Sequence, residues 1–333
     1  MPPYDRPSTS SSSSYSARAG SLIDPRTLMR IKSLQVRARV TVEGFIKGLH
    51  RSPYHGFSVE FSEYRQYTPG DDPRYLDWRL YARSDRCYVK RFEDETNLRC
   101  HLVLDASRSM GYGSGDYPKS EYARTAAATL AYFLSTQRDA VGLLTFDDKI
   151  TDYLPPRHRP GHLRRLMGIL EREPTGQATD LNAPLEQIAA TIRKRGLIVF
   201  FSDLLAPVEP LRSKLGYLRS RGHDVVIFRT LDPAETSFQF PNANPAMFRD
   251  LESSREFYVD PTAAREDYLR KFNAHAAEIE RTCVDLGIEY VSLSTDRPLE
   301  LVLFDFLSAR LRRGRSPGRR APASSARTGG GSR

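Results

Sequence analysis

Residues 105–110 read DASRSM, directly after the apolar run Leu102, Val103, Leu104. A strand ending this way presents one carboxylate and then two hydroxyls at alternate positions. Asp105, Ser107 and Ser109 are hard oxygen donors on a tight turn, the chemistry that Mg2+ or Mn2+ prefers. The turn carries no histidine, no second carboxylate and no cysteine. It therefore points toward metal-assisted binding rather than bond breaking.

Two further segments supply oxygen donors. GLIVFFSDLL at 196–205 places Asp203 just past a second apolar run, and GQATDLNAPL at 176–185 puts Thr179 in a loop immediately before a helix. If the two strands are neighbours, three loops contribute two carboxylates and three hydroxyls. That set makes a mostly oxygen, octahedral shell with one position open. Taken alone, Asp105 and its serines would be read as a turn whose side chains cap backbone groups.

The elements that position these loops follow from periodicity. Apolar strand runs occur at 101–105, 141–146, 197–202, 224–228 and 288–293, with helical patterns at 121–137, 161–172, 182–194, 208–221, 262–286 and 298–313. Ser120 is the candidate N-cap of the first of these helices. Short strands alternating with helices predict an α/β fold, a doubly wound, mostly parallel sheet covered on both faces. Ligands bind such sheets beyond the carboxyl ends of strands where the strand order reverses. The proline-rich excursion at 232–261 carries a candidate strand at Glu256–Val259.

Residues 21–99 differ in pattern. A helix near 25–36 leads into short alternating stretches and the turn TPGDDPR at 68–74, which reads as a small β-rich module. The expected organisation is a Ser/Pro-rich tail at 1–20, this module at 21–99, an α/β domain at 100–313 and an Arg/Gly/Ser tail at 314–333. Both tails are too poor in apolar residues to repay chain entropy.

Charge and cysteine usage narrow the function classes. The net charge of +9 resides at the ends: residues 310–333 hold eight arginines and no acid, whereas 21–309 balances 40 basic against 40 acidic residues. The body thus offers no electrostatic argument for nucleic acid, and the basic tail alone supports that alternative. Cys87, Cys100 and Cys283 show no CxxC spacing, so neither a disulfide framework nor a zinc site is expected, and a cytoplasmic location is. The amino terminus lacks the apolar core of a secretory signal, and no apolar run approaches a membrane span.

Asp-x-Ser-x-Ser after the first strand, a Thr before the third helix and an Asp after the fourth strand resemble a von Willebrand factor A domain. In that family these positions, here Asp105, Ser107, Ser109, Thr179 and Asp203, form a metal-ion-dependent adhesion site. The resemblance implies that a partner's Asp or Glu completes the metal shell. Upstream, GLHRSPYHGFSVEF and YRQYTPGDDPRYLDWRLYARSDRCYVKRFEDET resemble the bacterial family called domain of unknown function 58, across about 25–310. Many members carry two amino-terminal membrane helices, and this chain departs from them there. Members are typically encoded beside MoxR-type AAA+ ATPases, which implies a non-enzymatic adaptor acting with such an ATPase or supplying it a client. Arg51, Arg65 and Asp77 are candidates for a partner surface. The lone Trp78 reads as core, and His50 and His55 as surface or hydrogen-bonding residues. The rival enzyme reading, a metal-dependent phosphoester hydrolase using Asp105 as nucleophile, meets Ser107 where a second acid is wanted.

Overall fold

A computed structural model describes residues 23–51, 64–66, 88–90, 98–172, 182–239, 246–249 and 255–314. Its centre is a six-stranded sheet formed by β3 (Arg99–Asp105), β4 (Ala140–Phe146), β5 (Ile150–Arg157), β6 (Leu197–Ser202), β7 (Asp224–Leu231) and β10 (Glu289–Ser294). Two short antiparallel pairs lie outside it: β1 (Tyr64–Gln66) with β2 (Tyr88–Lys90), and β8 (Ala246–Arg249) with β9 (Glu256–Val259). The sheet runs β10-β7-β6-β3-β4-β5, parallel throughout except for the antiparallel edge strand β5. Counting only its own strands in chain order, the sheet reads 3-2-1-4-5-6. This is a doubly wound order, and its reversal lies between β3 and β6.

Apolar runs become central strands because alternate side chains feed two cores. Leu102 and Leu104 of β3, Val199 and Phe201 of β6, and Val226 and Phe228 of β7 share one core. Val103, Ile198, Phe200, Val225 and Ile227 point into the other. The first core is covered by α1 (Pro25–Met29), α2 (Leu34–Arg51), α3 (Lys119–Thr136), α4 (His162–Leu170) and α9 (Leu299–Gly314). The second is covered by α5 (Asn182–Thr191), α6 (Val208–Ser220) and α8 (Pro261–Leu286). The remaining helix, α7 (Pro233–Ser237), follows β7. Among the described residues no helix is long and apolar enough to cross a membrane.

Three local expectations are corrected. The helix expected near 25–36 is two helices, with Arg30–Ser33 between α1 and α2. Ser120 is not the N-cap of α3, since the helix begins at Lys119 after Pro118 and Ser120 is buried inside its first turn. Strand β5 was not anticipated, because Pro155 and Pro156 argue against a strand; they are tolerated on this edge, opposite a register shift at Gly142. A Cβ at Gly142 would come within 2.7 Å of the Leu154 carbonyl oxygen, so the shift needs glycine. Of the segment expected as a β-rich module, Leu28, Leu34, Ala38 and Val42 join the first core. Its β structure within the described residues is the β1–β2 pair.

At the amino end of β3, far from the turn at Asp105, His101 is buried. Burial, with the charges of His223 and Arg99 adding to it, lowers its pKa from 6.5 to about 4. The unfolded chain takes up this proton as pH falls through 6.5, while the folded chain resists until about 4. Stability from this group is therefore complete above pH 6.5 and declines below it, by about 3 kcal/mol at pH 4. Urea unfolding at pH 7 and pH 4 should show His101→Leu losing about that much less than wild type on acidification. An equal loss in both proteins would contradict this.

Candidate metal centre

The reversal between β3 and β6 places Asp105 and Asp203 on adjacent strand ends, as the sequence requires for a shared site. Asp105 is the last residue of β3 and is buried. Its Oδ1 accepts the Ser107 backbone N–H at 2.9 Å, which closes a turn. Its Oδ2 accepts the Ser202 hydroxyl at 2.5 Å, so β6 grips the carboxylate from the neighbouring strand. The hydroxyl oxygens of Ser107 and Ser109 lie 3.1 Å apart. That spacing is close to the edge of an octahedron with metal–oxygen distances of about 2.1 Å. Ser107 precedes and Ser109 lies within a 3-10 turn at Arg108–Gly111, whose Met110 is fully buried.

Asp203 follows β6 on a turn of its own. The Ser202 hydroxyl accepts the Leu204 N–H at 3.0 Å, and Asp203 Oδ1 accepts the Leu205 N–H at 3.2 Å. Leu204 adopts φ of +52°, in the left-handed region that non-glycine residues rarely enter. Its side chain is buried in the second core, which holds the backbone in this costly state. Burial first, and then the negative charge of Asp203, raise the Asp105 pKa from 3.8 to about 6. The two carboxylates are thus close enough for the charge of one to disfavour ionisation of the other at Asp105.

The structure adds groups that the sequence reading did not select. The Lys119 ammonium, 0% exposed, donates to Asp203 Oδ2 at 2.8 Å and to Glu235 Oε1 at 2.6 Å. Burial disfavours this charge, but Asp203 and Glu235 outweigh it and raise the Lys119 pKa. Glu235 completes a capping box with Asp232 at the start of α7. Asp232 in turn accepts the Ser114 hydroxyl at 2.5 Å and its N–H at 2.9 Å, tying the loop before α3 to the end of β7. On the other side, Arg229 Nε donates to the Asp203 carbonyl oxygen at 3.0 Å. One signal for Lys119 was present in the sequence: a cation in the first turn of a helix opposes the macrodipole and calls for a nearby acid.

Asp105, Ser107, Ser109 and Asp203 are therefore brought to one rim. Thr179 and Asp77 lie outside the described residues, as does Trp78. Arg51 ends α2 and Arg65 is the central residue of β1. Among the described residues no group of three or more His, Cys, Asp or Glu side chains is placed to hold a metal. The donors at this rim are instead two carboxylates and two hydroxyls, whose chemistry fits a hard divalent cation.

The fold is a doubly wound α/β domain with a mostly parallel sheet, and the oxygen donors lie at its topological switch point. The chain belongs to the family described as "Protein of unknown function DUF58", which matches residues 63–278. It is 30% identical to the uncharacterized protein Rv1480 of Mycobacterium tuberculosis over 298 residues, covering 88% of this chain and 92% of that one. It is also 32% identical to the uncharacterized protein MAV169 of Mycobacterium avium over 165 residues, 49% of this chain and 94% of that one. Among solved structures it is similar to the conserved hypothetical protein BatB from Bacteroides thetaiotaomicron. That likeness has a TM-score of 0.44 and 15% identity, covering 65% of this chain and 99% of that one. The SpRpn10 VWA domain is similar with a TM-score of 0.37 and 13% identity, covering 62% and 94%.

Proposed function

We propose that this chain is a non-enzymatic protein-binding adaptor whose contact with its partner depends on Mg2+ or Mn2+. The observation that carries the reading is the convergence of Asp105, Ser107, Ser109 and Asp203 at the strand-order reversal, two carboxylates with two neutral hydroxyls. Thr179, by the family resemblance, belongs to the same set. When bound, the ion would supply an open coordination position for a partner's carboxylate. Asp105 would hold it from the end of β3, and the Ser107 and Ser109 hydroxyls would add no charge. Ser202 orients Asp105, and the Leu204 turn aims Asp203. Neutral hydroxyl ligands leave a divalent cation electrophilic toward an incoming acid.

The partner class follows from the resemblance: a MoxR-type AAA+ ATPase, or a client protein delivered to it, presenting an Asp or Glu. The test is capture of partners from a lysate of the source cells by the tagged full chain, with and without EDTA, identified by mass spectrometry. A MoxR-type ATPase or a defined client should be retained with Mg2+, lost with EDTA and lost with Asp105→Ala. Undiminished capture by Asp105→Ala, or metal-dependent turnover of phosphate esters by the wild type, would overturn the adaptor reading.

A further inference from the structure

Lys119 is the least expected residue at the rim. A lysine side chain is seldom fully buried, and this one sits in the first turn of α3, where the helix dipole opposes it. Both of its acidic partners are remote in sequence. Asp203 comes from the turn after β6, and Glu235 from α7 beyond β7. Its ammonium touches the candidate ligand Asp203 on Oδ2, while Oδ1 of the same carboxylate is held by the Leu205 N–H. Lys119 is therefore a fixed positive charge built against one of the two acidic donors.

The balance of ionised groups in this network is informative. Four carboxylates, Asp105, Asp203, Asp232 and Glu235, share this network with two buried cations: Lys119, which touches Asp203 and Glu235, and Arg229, which reaches the Asp203 backbone carbonyl. Two negative charges remain, which one divalent cation cancels. All six side chains are largely withdrawn from water, so an imbalance is not screened as it would be at the surface. Without Lys119 the network would carry three negative charges and bind a cation more tightly. The ion would also keep less positive charge to offer a partner.

We infer that Lys119 is a built-in counter-charge that sets the strength with which this rim binds a divalent cation, trading metal affinity for electrophilicity toward the partner. It acts through Asp203 and is a positioning and charge-setting residue rather than a ligand. The inference rests on the metal reading above, and the experiment separates the two. Mn2+ alone is titrated into the full chain, with free ion followed by electron paramagnetic resonance. The proteins are wild type, Asp105→Asn, Lys119→Met and the double variant Lys119→Met/Glu235→Gln.

Wild type should bind one Mn2+ and Asp105→Asn none, which tests the metal reading by itself. Lys119→Met should bind Mn2+ roughly tenfold more tightly or better, because a positive charge beside the ion is gone. A side chain needed only for packing would give the opposite change. Because the single variant buries two uncompensated acids, the double variant guards against a failure to fold. It returns the network to two negative charges and should bind within about threefold of wild type, as charge balance requires. Equal or weaker binding by folded Lys119→Met, or loss of binding in the double variant, overturns the role given to Lys119. Absence of binding in wild type overturns the metal reading and this inference with it.

Discussion

Asp105→Asn should be more stable than wild type in EDTA and should no longer respond to Mg2+ or Mn2+. The carboxylate is buried beside Asp203, and its pKa stands at about 6 rather than 3.8. At pH 7 the folded state therefore holds a charge it disfavours, a penalty of up to about 3 kcal/mol. Asparagine removes the charge and keeps an oxygen to accept the Ser107 N–H. The sign in pH follows: as pH falls from 7 through 6 toward 3.8, wild type becomes protonated in the fold and recovers this energy. The advantage of the variant should shrink over that range. In wild type, metal at a hundredfold excess over its dissociation constant should add about 2.7 kcal/mol, and in the variant nothing. Urea unfolding with EDTA and with Mn2+ measures both effects. A variant less stable than wild type in EDTA would contradict the charge penalty, and an equal metal response would contradict the site.

Phe201→Ala should have the opposite sign and a larger size. Phe201 is fully buried in β6, stacked on Phe228 at a centroid distance of 5.1 Å. Phe228 meets the Phe306 ring of α9 edge-on, also at 5.1 Å. Truncation leaves a cavity in the middle of the first core and removes one member of this aromatic row, costing about 3–5 kcal/mol. The residue also immediately precedes Ser202, whose hydroxyl grips Asp105. Metal affinity should therefore fall along with stability, whereas Phe201→Leu should cost less than about 1.5 kcal/mol and keep the site. A loss below about 1 kcal/mol for Phe201→Ala would show that the core collapses around the gap.

These two residues also mark how much was legible beforehand. Phe201 lay in the run LIVFF, and runs of this kind gave the four inner parallel strands, because a strand covered on both faces is continuously apolar, whereas edge strand β10 was read from the looser pattern IEYVSL. Asp105 and Asp203 were legible because each ends one of those strands, and a doubly wound order makes strand ends meet. Edge strand β5 escaped because ITDYLPPR lacks that continuous pattern and carries two prolines. Lys119 and Glu235 escaped for a different reason. Their contacts span sequence separations of 84 and 116 residues, and an isolated charge in a helix start reads as a solvated residue. Arg229, inside DVVIFRTL, interrupts an apolar run. That interruption was a signal, since a buried arginine demands partners, here the Asp203 carbonyl and the Phe272 ring.

Titration of Mn2+ into the wild-type chain at neutral pH shows whether the rim formed by Asp105, Ser107, Ser109 and Asp203 holds a divalent cation. One saturable site is expected, displaced by excess Mg2+ and absent from Asp105→Asn. No saturable binding, or binding that Asp105→Asn leaves unchanged, would contradict it.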